Sequence, residues 1–284
     1  MTTEAPPSSR RAPLAVAAPP KPPGVLAYLG GRIVALFQHF GHASSMTVGA
    51  FLSMFRRPFE FGATLYQFES LGVKSLSIAA ITAVFVGMVM AVQFAFGLQR
   101  FGGMEYTGRI VAISFSRELA PTLTAVIVGG RIAAGIAAEL GSMNVTEQID
   151  AIRSLGADPL KKLVLPRVLA CTIVMPILCS FALVLGFSGA MLITDLEFGI
   201  PAQFFLRTAL SSVQLRDVYS GMFKTPFYGA IIAIIGCHFG LITRGGTEGV
   251  GTSTTSAVVT TSISVLVADF FLTKISFLIW PASL

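Results

Sequence analysis

A run of 25 residues without a single charge, at positions 75–99, is the feature that most constrains how this chain can fold. An α-helix of that length rises by about 37 Å, which exceeds the ~30 Å hydrocarbon layer of a membrane. A second uncharged run, at positions 168–194, has 27 residues. Its Pro176 predicts a kink, because proline removes a backbone hydrogen bond inside a helix. Both runs predict transmembrane helices.

Three further segments are long and apolar enough to predict spanning helices. They lie at about 110–138, 225–243 and 257–280. The composition agrees, because 54% of the residues are hydrophobic and only 12% are charged. A typical soluble domain carries about twice that charged fraction. We therefore predict an all-α integral membrane protein with about five transmembrane helices.

The N-terminal part of the chain has a different character. Residues 1–24 contain seven of the fifteen prolines, so we expect a disordered Pro-rich tail. Residues 25–57 carry apolar residues at helical spacing, but glycine and serine interrupt the pattern at Gly41 and Ser44. That pattern predicts an amphipathic helix lying in the membrane interface rather than a span. The membrane domain is then expected to extend over residues 25–284.

Basic residues predict the orientation of the spans, because cytoplasmic segments of membrane proteins are enriched in lysine and arginine. With the N-terminus in the cytoplasm, twelve basic residues fall on the cytoplasmic side: Arg10, Arg11, Lys21, Arg32, Arg56, Arg57, Lys74, Arg153, Lys161, Lys162, Arg167 and Arg244. Five fall on the outer side: Arg100, Arg109, Arg207, Arg216 and, at the edge of the fourth span, Lys224. An odd number of spans then places the C-terminus outside.

Several classes of function find no support in the sequence. The net charge of +6 arises from basic residues at helix ends, which indicates membrane topology rather than nucleic-acid binding. The three cysteines, Cys171, Cys179 and Cys237, all lie in apolar runs and form no CxxC pair, so neither a disulfide nor a metal site is expected. The sequence has no Gly-x-x-x-x-Gly-Lys-Ser/Thr loop, so we do not expect this chain to hydrolyse ATP.

The connection between the second and third spans predicts a short amphipathic helix of about three turns at residues 144–155. Asn144 and Glu147 have the spacing of a capping box, and Gly156 supplies a stop. Val145, Ile149 and Ile152 share one face, while Glu147, Asp150 and Arg153 lie on the other. This helix either rests on lipid or docks a cytoplasmic protein. Its acidic polar side favours docking, because cytoplasmic leaflets are anionic.

These segments resemble one family. Residues 139–148, with the pattern Glu-x-Gly-x-Met-x-x-Thr-Glu-Gln, look like the MlaE/YrbE family of ABC-transporter permeases, as do residues 116–121 and 130–135. The resemblance runs from about residue 25 to the C-terminus. It assigns ATPase coupling to eight residues: Glu139, Gly141, Met143, Thr146, Glu147, Gln148, Asp150 and Arg153.

The resemblance also implies partners and a location. It implies a homodimer in a bacterial inner membrane, with two cytoplasmic P-loop ATPase subunits docked on the helix at residues 144–155. It further implies a periplasmic MCE-domain lipid-binding protein, a small cytoplasmic STAS-type accessory subunit, and phospholipid or a related lipid as substrate. No cofactor is expected in this chain, because ATP would be used by the partner.

Arg117 and Glu118 interrupt an otherwise apolar span. Ionisable residues within a span usually face protein or water, because exposing them to lipid costs free energy. Since the two are adjacent, they point to different sides of the helix and do not pair with each other. Arg131, Lys224, Asp269 and Lys274 are candidate partners. The pair either stabilises the fold through interhelical ion pairs or borders a substrate cavity near a lipid headgroup.

Other functions remain open at this point. A secondary transporter driven by an ion gradient would also use intramembrane charges, although no inverted repeat is apparent. A membrane scaffold that recruits a cytoplasmic partner would account for the amphipathic helix alone. An intramembrane enzyme is the least supported alternative, because no Ser/His, Asp/Asp or His/Glu arrangement of catalytic residues occurs within the spans.

Overall fold

The computed structural model describes residues 61–279, together with the isolated Gly41 and Gly49. The predicted Pro-rich tail at 1–24 and the predicted interfacial helix at 25–57 therefore lie outside the described residues, apart from these two glycines. From Phe61 onward the chain belongs to one compact unit, and no strand occurs among the described residues.

Eight α-helices, a 3₁₀ turn and two π-helical segments follow one another along the described residues. They are α1 (Phe61–Gln99), the 3₁₀ turn (Met104–Tyr106), α2 (Thr107–Ser114), the first π segment (Phe115–Leu119), α3 (Ala120–Val145), α4 (Gln148–Ser154), the second π segment (Leu160–Val164), α5 (Leu165–Phe198), α6 (Ala202–Ser212), α7 (Leu215–Leu241) and α8 (Gly246–Ile279).

Five helical stretches are long and apolar enough to cross a membrane: Phe61–Gln99, Met104–Val145, Leu160–Phe198, Leu215–Leu241 and Gly246–Ile279. The prediction of an all-α membrane protein with about five spans is thus confirmed. Each predicted span coincides with one of these stretches, although the stretches are longer at most ends. The fourth is the exception, because α7 ends at Leu241, two residues before the predicted boundary.

Glycines bring the long helices α1 and α5 into close contact. A Cβ atom added to Gly87 on α1 would overlap the backbone of Gly186 on α5, and one added to Gly189 would meet the backbone of Val84. Gly240 of α7 also packs closely against α3, where an added Cβ atom would lie 2.6 Å from the Cβ atom of Leu140. Backbone contact of this kind is typical of membrane helices, whose association depends on close packing.

The two ends of the bundle carry different connections. At one end, hereafter the α4 end, α4 links α3 to α5, and a short turn at residues 242–245 links α7 to α8. At the other, the α6 end, α6 links α5 to α7. This helix was not anticipated. It packs its buried Phe205 and Ala209 inward and exposes Gln203, Arg207 and Ser211, so it is amphipathic and lies where α5 stops at Gly199.

Candidate functional site

The first π segment, Phe115–Leu119, is where charged residues enter the second span. Pro121 lies two residues after its end and has no backbone N–H, so the carbonyl of Arg117 lacks the donor that an α-helix would supply. Lys224 Nζ approaches this carbonyl at 3.4 Å. The widened turn closes with a bond from the Ala120 N–H to the Phe115 carbonyl. Such π-bulges are frequent at functional sites.

Lys224 is the centre of a group of paired side chains contributed by the first π segment, α7 and α8. Its Nζ lies 2.7 Å from Glu118 Oε2 and 3.3 Å from Asp269 Oδ1, and it donates a hydrogen bond to Thr273 Oγ1 at 2.7 Å. The Tyr228 hydroxyl donates to Asp269 Oδ1 at 2.6 Å. The ammonium of Lys224 is completely buried, so these partners replace its hydration shell.

The side chain of Arg117 points away from that of the adjacent Glu118, and it pairs with Asp217. Its Nη2 and Nε donate to Asp217 Oδ1 at 2.6 Å and 2.8 Å. Asp217 Oδ2 in turn accepts the backbone N–H of Gln214 at 2.9 Å, and the two residues form a capping box at the start of α7. One carboxylate therefore both pairs with Arg117 and begins the fourth span.

These pairs form an ion-pair cluster that we define as Arg117, Glu118, Asp217, Lys224 and Asp269. It contains two basic and three acidic groups. Lys224 and Asp217 are almost fully buried, whereas the side chains of Glu118 and Arg117 are 39% and 27% exposed. The cluster is therefore closed towards the bundle interior and open on the side of Glu118.

The contacts within the ion-pair cluster identify the partners of Arg117 and Glu118. Glu118 does pair with Lys224, so one of the four candidate partners is correct, whereas Asp269 binds Lys224 and neither Arg117 nor Glu118. Arg131 is not a partner, because it donates to Ser75 Oγ at 2.6 Å. Lys274 is exposed on α8. Lys224 is also not an outer-edge charge, as the orientation count assumed, but a buried residue within α7.

Three members of this site were missed in the sequence: Asp217, Tyr228 and Thr273. Asp217 could have been found, because Gln214 and Asp217 have capping-box spacing just before an apolar run. Tyr228 and Thr273 carried no such signal, since each is an ordinary polar residue in an apolar span. Among the residues that the structure describes, no group of three or more His, Cys, Asp or Glu side chains is arranged to hold a metal ion.

The predicted helix at residues 144–155 is shorter than expected and begins later. Asn144 still belongs to α3, and α4 runs only from Gln148 to Ser154. The predicted capping box does not form, because the Asn144 amide instead donates to the carbonyls of Leu241 and Thr243 at 3.1 Å and 2.8 Å. Glu147 breaks the helix with a φ of 58°, the only positive value at a described non-glycine residue. The predicted stop at Gly156 is present, with a φ of 76°.

The faces of α4 are as predicted. Ile149 is buried and Ile152 half-buried against the core, whereas Glu147, Asp150 and Arg153 are exposed. Asp150 and Arg153 pair at 3.0 Å on this exposed face, where such a pair contributes little to stability. Gln148 is exposed at the start of α4. The charged side chains of α4 are thus exposed, while its apolar side chains pack against the core of the bundle.

The remaining motif residues connect α4 to its neighbours. Glu139 pairs with the buried Arg167 at 2.7 Å, which ties α3 to α5 on either side of α4. A Cβ atom on Gly141 would lie 2.9 Å from Thr243 Oγ1, so glycine permits the close approach of α3 to the end of α7. Met143 packs against the core. The Thr146 hydroxyl donates to the Ser142 carbonyl at 2.8 Å and ends α3.

A polar depression of about 960 Å³ lies at the α4 end. Its lining comes from α4, from the residues that follow it, and from the turn between α7 and α8. Three acidic residues, Glu147, Asp150 and Asp158, and two basic residues, Arg153 and Arg244, border it. The depression next to α4 is therefore lined by both acidic and basic side chains.

The fold and the site define a polytopic α-helical membrane protein with ionised residues paired inside its spans and a short charged helix displayed at one end. Comparison with known proteins specifies the family. The family described as Permease MlaE matches residues 64–275. The chain therefore belongs to the MlaE family of ABC transporter permeases, as the resemblance had predicted.

Individual relatives agree with this assignment. A probable ABC transporter permease protein of Synechocystis sp. is 42% identical over 241 residues, which cover 85% of this chain and 92% of the relative. A probable ABC transporter permease protein of Rickettsia bellii is 37% identical over 249 residues, or 88% of this chain and 96% of the relative. The chloroplastic protein Trigalactosyldiacylglycerol 1 of Arabidopsis thaliana is 41% identical over 214 residues, or 75% of this chain and 61% of the relative.

Proposed function

We propose that this permease moves phospholipid or a related lipid between a bacterial inner membrane and a periplasmic MCE-type carrier, and that a separate cytoplasmic ATPase supplies the energy. The observation that carries the proposal is α4, whose charged face is exposed while Ile149 packs into the core of the bundle and the preceding Asn144 binds the end of α7. A partner that moves α4 would therefore move the bundle.

The lipid substrate is supported from two directions. One relative, the Arabidopsis protein, is named for a galactolipid, trigalactosyldiacylglycerol. In this chain, the ion-pair cluster opens at Glu118 and Arg117, and a charged or zwitterionic headgroup could exchange contacts with it there. In this proposal the two residues border the substrate cavity, and Lys224 and Asp217 hold them in position.

The proposed assembly is a homodimer of this chain with two P-loop ATPase subunits, the MCE-type carrier and a small STAS-type accessory subunit. The α4 end faces the cytoplasm in this arrangement. The count of basic residues in the sequence supports that orientation, because twelve are assigned to the side of the α4 end and, with Lys224 placed inside α7, four to the other side. The N-terminus is then cytoplasmic and the C-terminus periplasmic.

Coupling would begin where the ATPase contacts Glu147, Asp150 and Arg153. Closure of the ATPase pair would push α4, and two connections would carry the displacement onward. Glu139 and Arg167 join α3 to α5, and Asn144 joins α3 to the end of α7. The spans would then open and close a cavity between the two copies of the chain.

Affinity purification in mild detergent tests the coupling surface. We expect the wild-type chain to retain a P-loop ATPase in stoichiometric amount, and E147K with D150K to lose it while the permease stays inserted in the membrane. E105K is the matched control, because Glu105 is exposed near the α6 end. ATPase retention by the E147K/D150K variant equal to that of E105K would refute docking on α4.

Transport by the assembled complex tests the substrate cavity. We expect E118A to lower lipid transfer to the carrier, because Glu118 lies on the open side of the ion-pair cluster. The variant should retain the ATPase, because the whole length of α3 separates Glu118 from α4. Normal transfer by E118A would assign the cluster to fold stability alone.

A further inference from the structure

An apolar groove opens between α5 and α6, and none of the five residues of the ion-pair cluster lines it. Its volume is about 320 Å³, at the lower end of the range for small-molecule sites. The lining residues are Ser116, Leu183, Val184, Phe187, Ser188, Met191, Phe205, Leu206, Ala209, Leu210, Val213 and Val218. Apart from two serines, all of them are apolar.

The groove has an open side and a closed floor. Val184 and Ser188 of α5 and Leu206 and Leu210 of α6 are exposed along its rim, whereas Phe205, Ala209 and Ser116 are buried beneath. Its lining spans residues 183–191 on α5 and 205–210 on α6, followed by Val213 and Val218, and the stretch on α5 corresponds to about 12 Å along the helix. The shape is therefore narrow, elongated and open sideways from the bundle.

A polar atom without a partner lies in the floor of this groove. Ser116 is buried, and its Oγ has no hydrogen-bond partner in the part of the chain that the structure describes. Serines within helices commonly donate to a carbonyl one turn back, and Ser180 and Ser188 on α5 do so at 2.8 Å and 2.9 Å. An unsatisfied hydroxyl in a water-poor environment is unfavourable, so a ligand oxygen at this point would be stabilised.

The position of α6 indicates the chemistry of that oxygen. Gln203, Arg207 and Ser211 recur at four-residue spacing and form an exposed polar stripe, while Phe205 and Ala209 pack inward. A helix of this kind lies in the membrane interface, at the boundary of headgroups and acyl chains. Ester groups of glycerolipids lie at that boundary, and they offer carbonyl oxygens to a hydroxyl donor.

We propose that this groove binds one acyl chain of a glycerolipid, and that the ester carbonyl of the chain accepts a hydrogen bond from Ser116 Oγ. The narrow volume excludes both chains of a diacyl lipid, so the second chain stays in the bilayer. A peptide or a nucleotide is a poor fit, because the apolar walls would leave its polar groups without hydrogen-bond partners. The site is separate from the substrate cavity proposed above, because neither Arg117 nor Glu118 lines the groove. It stands whether or not that cavity carries substrate.

Photo-crosslinking tests the site. Purified full-length chain in nanodiscs is labelled with a diacyl phosphatidylglycerol that carries a diazirine in one chain, and crosslinked peptides are mapped by mass spectrometry. A dialkyl probe of the same length, which has ether oxygens in place of the ester carbonyls, is run in parallel. We expect crosslinks concentrated on residues 184–191 and 205–210. The diacyl probe should label them about fivefold more than the dialkyl probe, since one hydrogen bond distinguishes the two.

Three variants sharpen the result. S188F fills the rim of the groove and should abolish the concentrated labelling. S180F, at an exposed serine of the same helix that does not line the groove, should preserve it. S116A should leave folding intact, because no protein group loses a partner, and should reduce the preference for the diacyl probe to about one.

Labelling spread evenly over the lipid-facing helices, or unaffected by S188F, would show ordinary boundary lipid only and overturn the site. A diacyl preference that persists in S116A would overturn the role of the hydroxyl. Loss of ATPase binding by the α4 variants would have no bearing on either result, so this inference and the proposed function fail independently.

Discussion

Lys224 Nζ and Glu118 Oε2 lie 2.7 Å apart, although 106 positions separate the two residues in the chain. The ammonium is fully buried and touches a second carboxylate on α8. Three spans are thereby joined at one point. The sequence places Lys224 at the edge of the fourth span, but it is the residue around which the second, fourth and fifth spans pack.

Removing the Lys224 charge should destabilise the protein strongly. K224M leaves the carboxylates of Glu118 and Asp269 without their cation, and breaking a buried pair of this kind costs about 3 kcal/mol or more of the free energy of unfolding. We expect a marked fall in the thermal unfolding midpoint of the detergent-solubilised chain. K274M is the control and should change little, because Lys274 is exposed. Adding E118Q and D269N to K224M should restore part of the midpoint, and failure to do so would argue against direct pairing.

Asp217 has two separable roles, as the partner of Arg117 and as part of the cap of α7. D217N removes the negative charge but retains an oxygen that can accept the Gln214 N–H. D217A removes both, and should lower the free energy of unfolding by about a further 1 kcal/mol, the usual worth of a helix cap. Equal unfolding midpoints for the two variants would show that the cap contributes nothing. The effects of R117A and D217A should be non-additive, as expected for contacting residues.

Asn144 should control the stability of the turn between α7 and α8. Its amide donates to two carbonyls there, and a carboxylate at the same position would place negative charge against both. We therefore expect N144D to be more disruptive than N144A. Limited trypsin digestion at the exposed Arg244 reports this directly, and cleavage should accelerate on the order of tenfold in N144D. Q148E, a charge change at an exposed residue of α4, should digest like the wild type.

Gly87 should be intolerant of any side chain, because a Cβ atom there would overlap the backbone of Gly186. We expect G87A to separate α1 from α5 and to lower the yield of folded, monodisperse protein. Gly97, on the same helix, has no heavy atom within 4 Å of the corresponding Cβ position. G97A should therefore be neutral or stabilising, by at most about 1 kcal/mol. Similar losses for both variants would point to a general effect of α1 composition.

Much of this architecture could be predicted from the sequence, and the exceptions have physical causes. Long uncharged runs such as 75–99 are typical of transmembrane helices, so the spans could be predicted. The length of the helix after Asn144 was overestimated, because capping-box spacing says nothing about the carbonyls of Leu241 and Thr243, which compete for the same amide. The helix α6 was missed because its eleven residues mix polar and apolar side chains without a long run.

The site was predicted to a similar extent. Arg117 and Glu118 are conspicuous because a charge in an apolar span needs a partner, and one of their candidate partners, Lys224, is correct. The partner of Arg117 was not among them, since Asp217 lies in what the sequence presented as an outer connection. The direction in which each residue points depends on the π segment, which shifts the helical register and leaves no mark in the composition.

The length of α1 has a consequence of its own. At 39 residues it measures about 58 Å, nearly twice the hydrocarbon thickness of a bilayer. Whatever its tilt, a large part of this rod stands in water or among headgroups. The protruding part acts as a lever arm, because a small rotation within the membrane becomes a larger displacement at its tip.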